Sequence, residues 1–95
     1  MSTLATYVHD PNANIDYGFD WSDWLVDGDL ISASSWSIDP TGPTLSNDTI
    51  DDTQKLTRCF VAGGDAGTRY VLSNHIFTDA GREDDRSITL KCRER

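Results

Sequence analysis

The chain has 95 residues and a mass of 10.5 kDa, which is enough for one domain with one modest core. The hydrophobic fraction is 37%, Ser and Thr are abundant, Lys and Glu are few, and the mean hydropathy is -0.49. This mixture excludes a membrane-spanning helix, a coiled coil and a long helical bundle, and it favours an all-β domain with polar loops.

The net charge is -8, from 16 acids and 8 bases. Residues 1–54 contain only acids, while residues 55–95 contain every Lys and Arg of the chain. Without a basic patch, nucleic acid and anionic membrane are disfavoured as partners. The split predicts a dipolar domain suited to charge-complementary docking, provided the first half lies on one side. The plainer reading is that acidic loops keep a small β domain soluble.

Residues 1–8 have neither a basic start nor an apolar run, so synthesis in a cytoplasm is expected. Cys59 and Cys92 are then expected to be free and buried, with a disulfide across the domain as the minor alternative. They are too few for a zinc site.

Thr6–His9 reads as a short extended start, closed by Asp10-Pro11. Ile15–Trp21 alternates, with Ile15, Tyr17, Phe19 and Trp21 on one face. Ser22–Leu25 suggests one helical turn capped by Ser22, and Asp27-Gly28 suggests a turn. Leu30–Asp39 is the third strand. Its Trp36 face is assigned inward because a large aromatic gains most from burial. After the Pro40–Pro43 break, Leu45–Ile50 reads as a short edge strand. Leu56–Ala62 follows, with Thr57, Cys59 and Val61 inward.

Arg69–Thr78 is the longest alternating run, with Tyr70, Leu72, Asn74 and Ile76 on one face. Asn74 is out of place there, because a buried Asn must find hydrogen-bond partners. Asp79–Arg82 reads as a hairpin turn and Arg86–Cys92 as the last strand. Seven strands with turns every ten residues or so fit an immunoglobulin or fibronectin-III sandwich. The expected organisation is one domain over 1–95, with 1–6 an N-terminal arm and 93–95 a C-terminal tail.

Gly67-Thr68-Arg69-Tyr70, opening a strand, fits a tyrosine corner, in which the hydroxyl ties down upstream backbone. Tyr70 and Trp36 are therefore structural candidates. Trp24 lies in a loop-like stretch and is the candidate interface anchor, against the alternative that it caps the core. The aspartate pairs Asp20/Asp23, Asp27/Asp29 and Asp51/Asp52 are weak calcium candidates and match no EF-hand loop. His9 and His75 stand in no catalytic spacing, and no nucleophile, base and oxyanion set is visible. No catalytic residue, metal or cofactor is assigned.

One long segment runs Ile15-Asp16-Tyr17-Gly18-Phe19-Asp20-Trp21-Ser22-Asp23-Trp24-Leu25. It continues with Gly28–Ser32 and Ser35–Ile38, then Gly63–Tyr70, Thr78–Arg82 and Asp85–Ile88. In order and spacing, these pieces resemble a family of small tailed-bacteriophage virion proteins, the fibre–tail adaptors. The resemblance runs from about Ile15 to Cys92. It implies an immunoglobulin-like fold, a structural place in the tail or neck, several copies in a symmetric assembly, and other phage structural proteins as partners. The residues taken as contacts are Trp24, Asp27 and Asp29 with the basic end Lys91, Arg93 and Arg95. The edge Leu45–Ile50 and the N-terminal arm are further docking elements. The alternatives are a capsid decoration protein, or a carbohydrate- or calcium-binding sandwich module.

Overall fold

The computed structural model describes residues 3–94. Seven strands follow in chain order: β1 (Thr3–His9), β2 (Asn14–Asp20), β3 (Ile31–Asp39), β4 (Thr44–Ile50), β5 (Leu56–Ala62), β6 (Arg69–Thr78) and β7 (Glu83–Cys92). They form a four-stranded sheet ordered β1-β7-β6-β3 and a three-stranded sheet ordered β2-β5-β4. The fold is an all-β, immunoglobulin-like sandwich. It differs from the constant-type plan in one strand: β1 joins the sheet of β7, in parallel, instead of the sheet of β2.

The core follows from the period-two pattern of the strands. From β6 come Tyr70, Leu72 and Ile76, from β7 Ile88, Leu90 and Cys92, from β5 Val61, and from the β2 segment Phe19 and Trp21. Cys59 and Cys92 are both free and buried, and burial pushes both thiols up.

Strand β3 shows how a bulge sorts residues that alternation alone leaves ambiguous. Its register with β6 shifts between Ile31 and Ala33. Ile31 is therefore buried on the same side as the half-buried Ser34, Trp36 and Ile38. Trp36 stacks on Phe19 at 5.7 Å, yet the fully buried tryptophan is Trp21. The reason is position: Trp21 lies just past the end of β2 and reaches across the sandwich, its indole N–H donating to Asn74 Oδ1 in the other sheet at 3.1 Å, while Arg86 covers its ring.

Asn74 does face inward and is fully buried. Its Oδ1 accepts from Thr57 Oγ1 at 2.6 Å and from Trp21 Nε1 at 3.1 Å. Its Nδ2 donates to Ser34 Oγ at 2.8 Å and to the Ser35 carbonyl at 3.0 Å. All four hydrogen-bonding positions of the amide are used, so the polar side chain ties β2, β3 and β5 to β6.

Three expectations need correction. Residues 3–6, expected in a free arm, are strand, because backbone from Thr3 onward pairs with β7; residues 1 and 2 lie outside the described residues. Ser22 does not cap its turn. Asp20 does, with Oδ1 accepting from the Ser22 N–H at 2.9 Å and the Ser22 hydroxyl at 2.6 Å. The two halves of the chain do not occupy two sides, since β1 and β3 lie in one sheet and β2 and β4 in the other. Charge is gathered by end instead.

Candidate docking surfaces

The sandwich measures 43 × 23 × 19 Å, and its loops cluster at the two ends of the long axis. One end carries the 21–30, 51–55 and 79–82 connections. Their charges are Asp23, Asp27, Asp29, Asp51, Asp52 and Asp79 against Lys55 and Arg82, a strongly acidic set. The other end carries the 10–13, 40–43 and 63–68 connections and the end of β7.

At the acidic end the chain leaves β2 and makes a single turn, with the Trp24 and Leu25 N–H groups donating to the Trp21 carbonyl. The turn sets Trp24 edge-on to Trp21 at 5.5 Å. Arg82 lies over the Trp24 ring at 4.2 Å, and Arg86 over the Trp21 ring at 4.1 Å. Arg86 also donates to the Asp20 carbonyl at 2.8 Å. Two arginines of the second half thus clamp the tryptophan turn of the first. Trp24 is half-buried: one face packs on the core cluster, and the ring sits at the rim.

The neighbouring aspartates have unlike roles. Asp27 is exposed at the turn whose Gly28 has a φ of 81°. Asp29 is 5% exposed and faces inward, which corrects its place among the contact residues. Its Oδ1 accepts from the Leu30 and Ala80 N–H groups, both at 3.0 Å, and so joins the 21–30 loop to the 79–82 turn. Burial pushes its carboxyl up, but the Thr78 hydroxyl, those two N–H groups and the Arg82 charge outweigh it and hold it below the usual carboxylate range. Asp51 accepts from the Thr53 hydroxyl at 2.6 Å and from the Lys55 and Leu56 N–H groups at 3.1 and 3.0 Å. The Thr53 hydrogen bond above all lowers its carboxyl to about 2. These carboxylates organise their own loops. Among the described residues no three His, Cys, Asp or Glu side chains converge on a metal-sized site.

At the opposite end Tyr70 is buried, and its hydroxyl accepts from the Asp65 N–H at 2.9 Å. Gly42 and Gly64 pack closely beside it: a Cβ at Gly42 would lie 3.0 Å from the Tyr70 hydroxyl, and one at Gly64 3.2 Å from the ring and 3.0 Å from Cys92 Sγ. Lys91 and Arg93 are exposed here, and the Arg93 N–H donates to the His9 carbonyl, which anchors the start of the tail. Arg95 lies outside the described residues. Trp24 and Asp27 are thus a molecule's length from Lys91 and Arg93, and the structure does not bring the two sets together.

Sequence reasoning placed docking on the β4 edge and missed β2. Strand β4 is an edge, but its register breaks between Ser46 and Thr49, where Asn47 has a φ of 51°. Such a bulge blunts an edge against pairing. Strand β2 pairs with β5 without a break over all seven residues, and its other edge has no backbone partner among the described residues. The signal was present in the regular alternation of Ile15–Trp21.

The described residues thus form a small immunoglobulin-like sandwich with loop clusters at two poles. The sequence matches the family described as podophage GP4 fiber-tail adaptor protein gp77 over residues 9–91. The match covers most of the chain, and the protein belongs to this family of tail adaptors. No curated protein matches the sequence. Among solved structures, a 2,6-sialyltransferase of Photobacterium sp. JT-ISH-224, crystallised with CMP and lactose, contains a similar fold. The TM-score is 0.56 and the identity 11%; the match covers 98% of this chain and 18% of the sialyltransferase. At that identity the likeness concerns the fold alone. Family membership gives the chain a structural role in a phage tail.

Proposed function

We propose that the protein docks tail fibres to the phage tail, with several copies arranged around the tail axis. The family match over residues 9–91 carries this reading. The geometry supports it in one respect: a bridge needs two separate contact surfaces. The acidic pole with Trp24 and Asp27 serves one neighbour, and the pole with Lys91 and Arg93 serves another. Asp29 shapes the first pole from within. A half-buried aromatic ring backed by an arginine is a good contact anchor, and the strongly acidic first pole against the mixed-charge second one distinguishes the two contacts.

The test is Trp24→Ala. The truncation removes a half-buried ring and one cation–π contact, so the domain should lose only about 1–2 kcal/mol and stay folded. Its incorporation into particles should be blocked. Normal incorporation of a folded Trp24→Ala protein contradicts the contact role. Loss of the β signal in the isolated variant makes Trp24 a core residue instead.

A further inference from the structure

The free edge of β2 is flanked by two unlike surfaces. On its inner side lies a groove of about 370 Å³ between β1 and β2, lined by Ala5, Tyr7, Tyr17, Phe19 and Ile88 with Asp16 and Gly18 at its lip. Tyr7 is 49% exposed and, just along β2, Ile15 is 43% exposed, although both point to the core side of their strands. The sandwich is open along this flank: β1 and β2 meet through side chains, with the Tyr7 and Tyr17 rings 6.0 Å apart and the Tyr17 hydroxyl 2.9 Å from His9 Nδ1, and not through a backbone ladder. On the outer side Asp16 and Asp20 stand two residues either side of Gly18; Asp16 makes one exposed, long ion pair with Arg58 at 3.8 Å and Asp20 Oδ1 accepts from Ser22, which leaves Asp20 Oδ2 and the outer face of Asp16 for a basic partner.

The backbone points the same way. The Trp21 N–H donates to the Lys55 carbonyl, toward β5. By alternation the N–H groups of Phe19, Tyr17 and Ile15 also turn toward β5, and those of Asn14, Asp16, Gly18 and Asp20 turn to the free edge. Arg86 takes the Asp20 carbonyl at one end, so the unbulged edge offers an added strand its outward backbone groups from Asn14 to Gly18, with an exposed apolar groove beside them.

We propose that this edge takes one extended strand from another virion protein, with apolar side chains on the face toward the groove and basic side chains on the face beside Asp16 and Asp20. That the strand comes from a virion protein rests on the adaptor reading; its chemistry rests on β2. A second copy of this chain is the wrong occupant. Antiparallel pairing of two β2 strands about Gly18 sets Asp16 directly opposite Asp20 of the second copy, and pairing about Tyr17 sets Asp16 on the same-face diagonal to Asp16 and Asp20 of that copy, so both registers bring like charges together.

Two measurements decide it. In purified particles, a photo-cross-linking residue replaces Tyr7, and in a control it replaces Phe77, which is exposed on the outer face of the same four-stranded sheet, away from β2. The Tyr7 position should capture a segment of another virion chain that alternates apolar and basic residues, and the Phe77 position should not capture that segment. Capture of an acidic segment, capture of only a second copy, or no capture from a particle that contains the protein overturns the proposal. If the protein is absent from particles, the adaptor reading falls, and the strand chemistry is decided on the isolated chain. There the probe is the heptapeptide Lys-Val-Lys-Val-Lys-Val-Lys against its Glu-for-Lys counterpart. At about ten times its Kd, the basic peptide should slow amide exchange at Asp16 and Gly18 about tenfold, while the acidic one leaves it unchanged. No binding of the basic peptide, equal effects from both peptides, or protection only elsewhere overturns it.

Discussion

Replacing Asn74 with Ala should be the most damaging single polar truncation in the core. The change removes an acceptor for the Thr57 hydroxyl and the Trp21 indole N–H, and a donor to Ser34 and to the Ser35 carbonyl. Trp21 keeps a second acceptor, Thr57 Oγ1 at 3.2 Å, and Ser34 is only half-buried. The groups left stranded are therefore chiefly the Thr57 hydroxyl proton and the Ser35 carbonyl. At about 1–3 kcal/mol for each of these two stranded groups, and about 1 kcal/mol for the lost packing of the amide, the loss is about 3–7 kcal/mol. For a domain of this size that is a large part of the whole stability. Urea unfolding followed by tryptophan fluorescence and far-ultraviolet circular dichroism should show the midpoint falling by about 3 M or more, taking a slope near 1 kcal/mol/M. A loss below about 1 kcal/mol would mean that the network is replaceable, and the reasoning about Asn74 would be wrong.

Three further outcomes are expected. Tyr70→Phe removes the hydrogen bond to the Asp65 N–H while keeping the ring, so it should cost about 1–1.5 kcal/mol in the same urea titration, and faster amide exchange at Asp65 should accompany it. Gly18→Ala places a Cβ 2.6 Å from the Thr57 carbonyl oxygen and should destabilise by about 1–3 kcal/mol; an unchanged midpoint would refute the clash. Asp51 has a folded value near 2, below its unfolded value, so its contribution is present above pH 4 or so and is lost as pH falls toward 2; Asp51→Asn should flatten the acid limb of a stability-versus-pH curve there.

Much of the sandwich is legible in the alternation of Ile15–Trp21, Leu56–Ala62, Arg69–Thr78 and Arg86–Cys92. In each, a two-residue period separates the buried face from the outer one, although in Leu56–Ala62 the buried face is Thr57, Cys59 and Val61 while Leu56 and Phe60 point outward. The bulge at Ile31/Ala33 is not legible, because a single inserted residue changes facing without changing composition. Nor is the start of β7. Glu83, Asp84 and Asp85 have low strand propensity, yet they pair with Phe77, Ile76 and His75, and His75 sits 3.3 Å from Glu83 and 3.7 Å from Asp85. That cross-strand context outweighs the propensity.

The candidate surfaces were legible only in part. An aspartate in a loop looks the same in sequence whether it is exposed like Asp27 or spent on backbone N–H groups like Asp29 and Asp51. Only the tertiary fold supplies the 79–82 turn that buries Asp29. The parallel pairing of β1 with β7, which leaves β2 as an open edge, joins segments some eighty residues apart and has no local signal.

The central claim is that this chain is a tail component that holds fibres. The most direct measurement is negative-stain microscopy of particles made with the gene disrupted, alongside mass spectrometry of purified normal particles. The account predicts that the protein is present in normal particles and that the disrupted particles have tails without fibres. Fibres retained on the disrupted particles, or absence of the protein from normal ones, would contradict it.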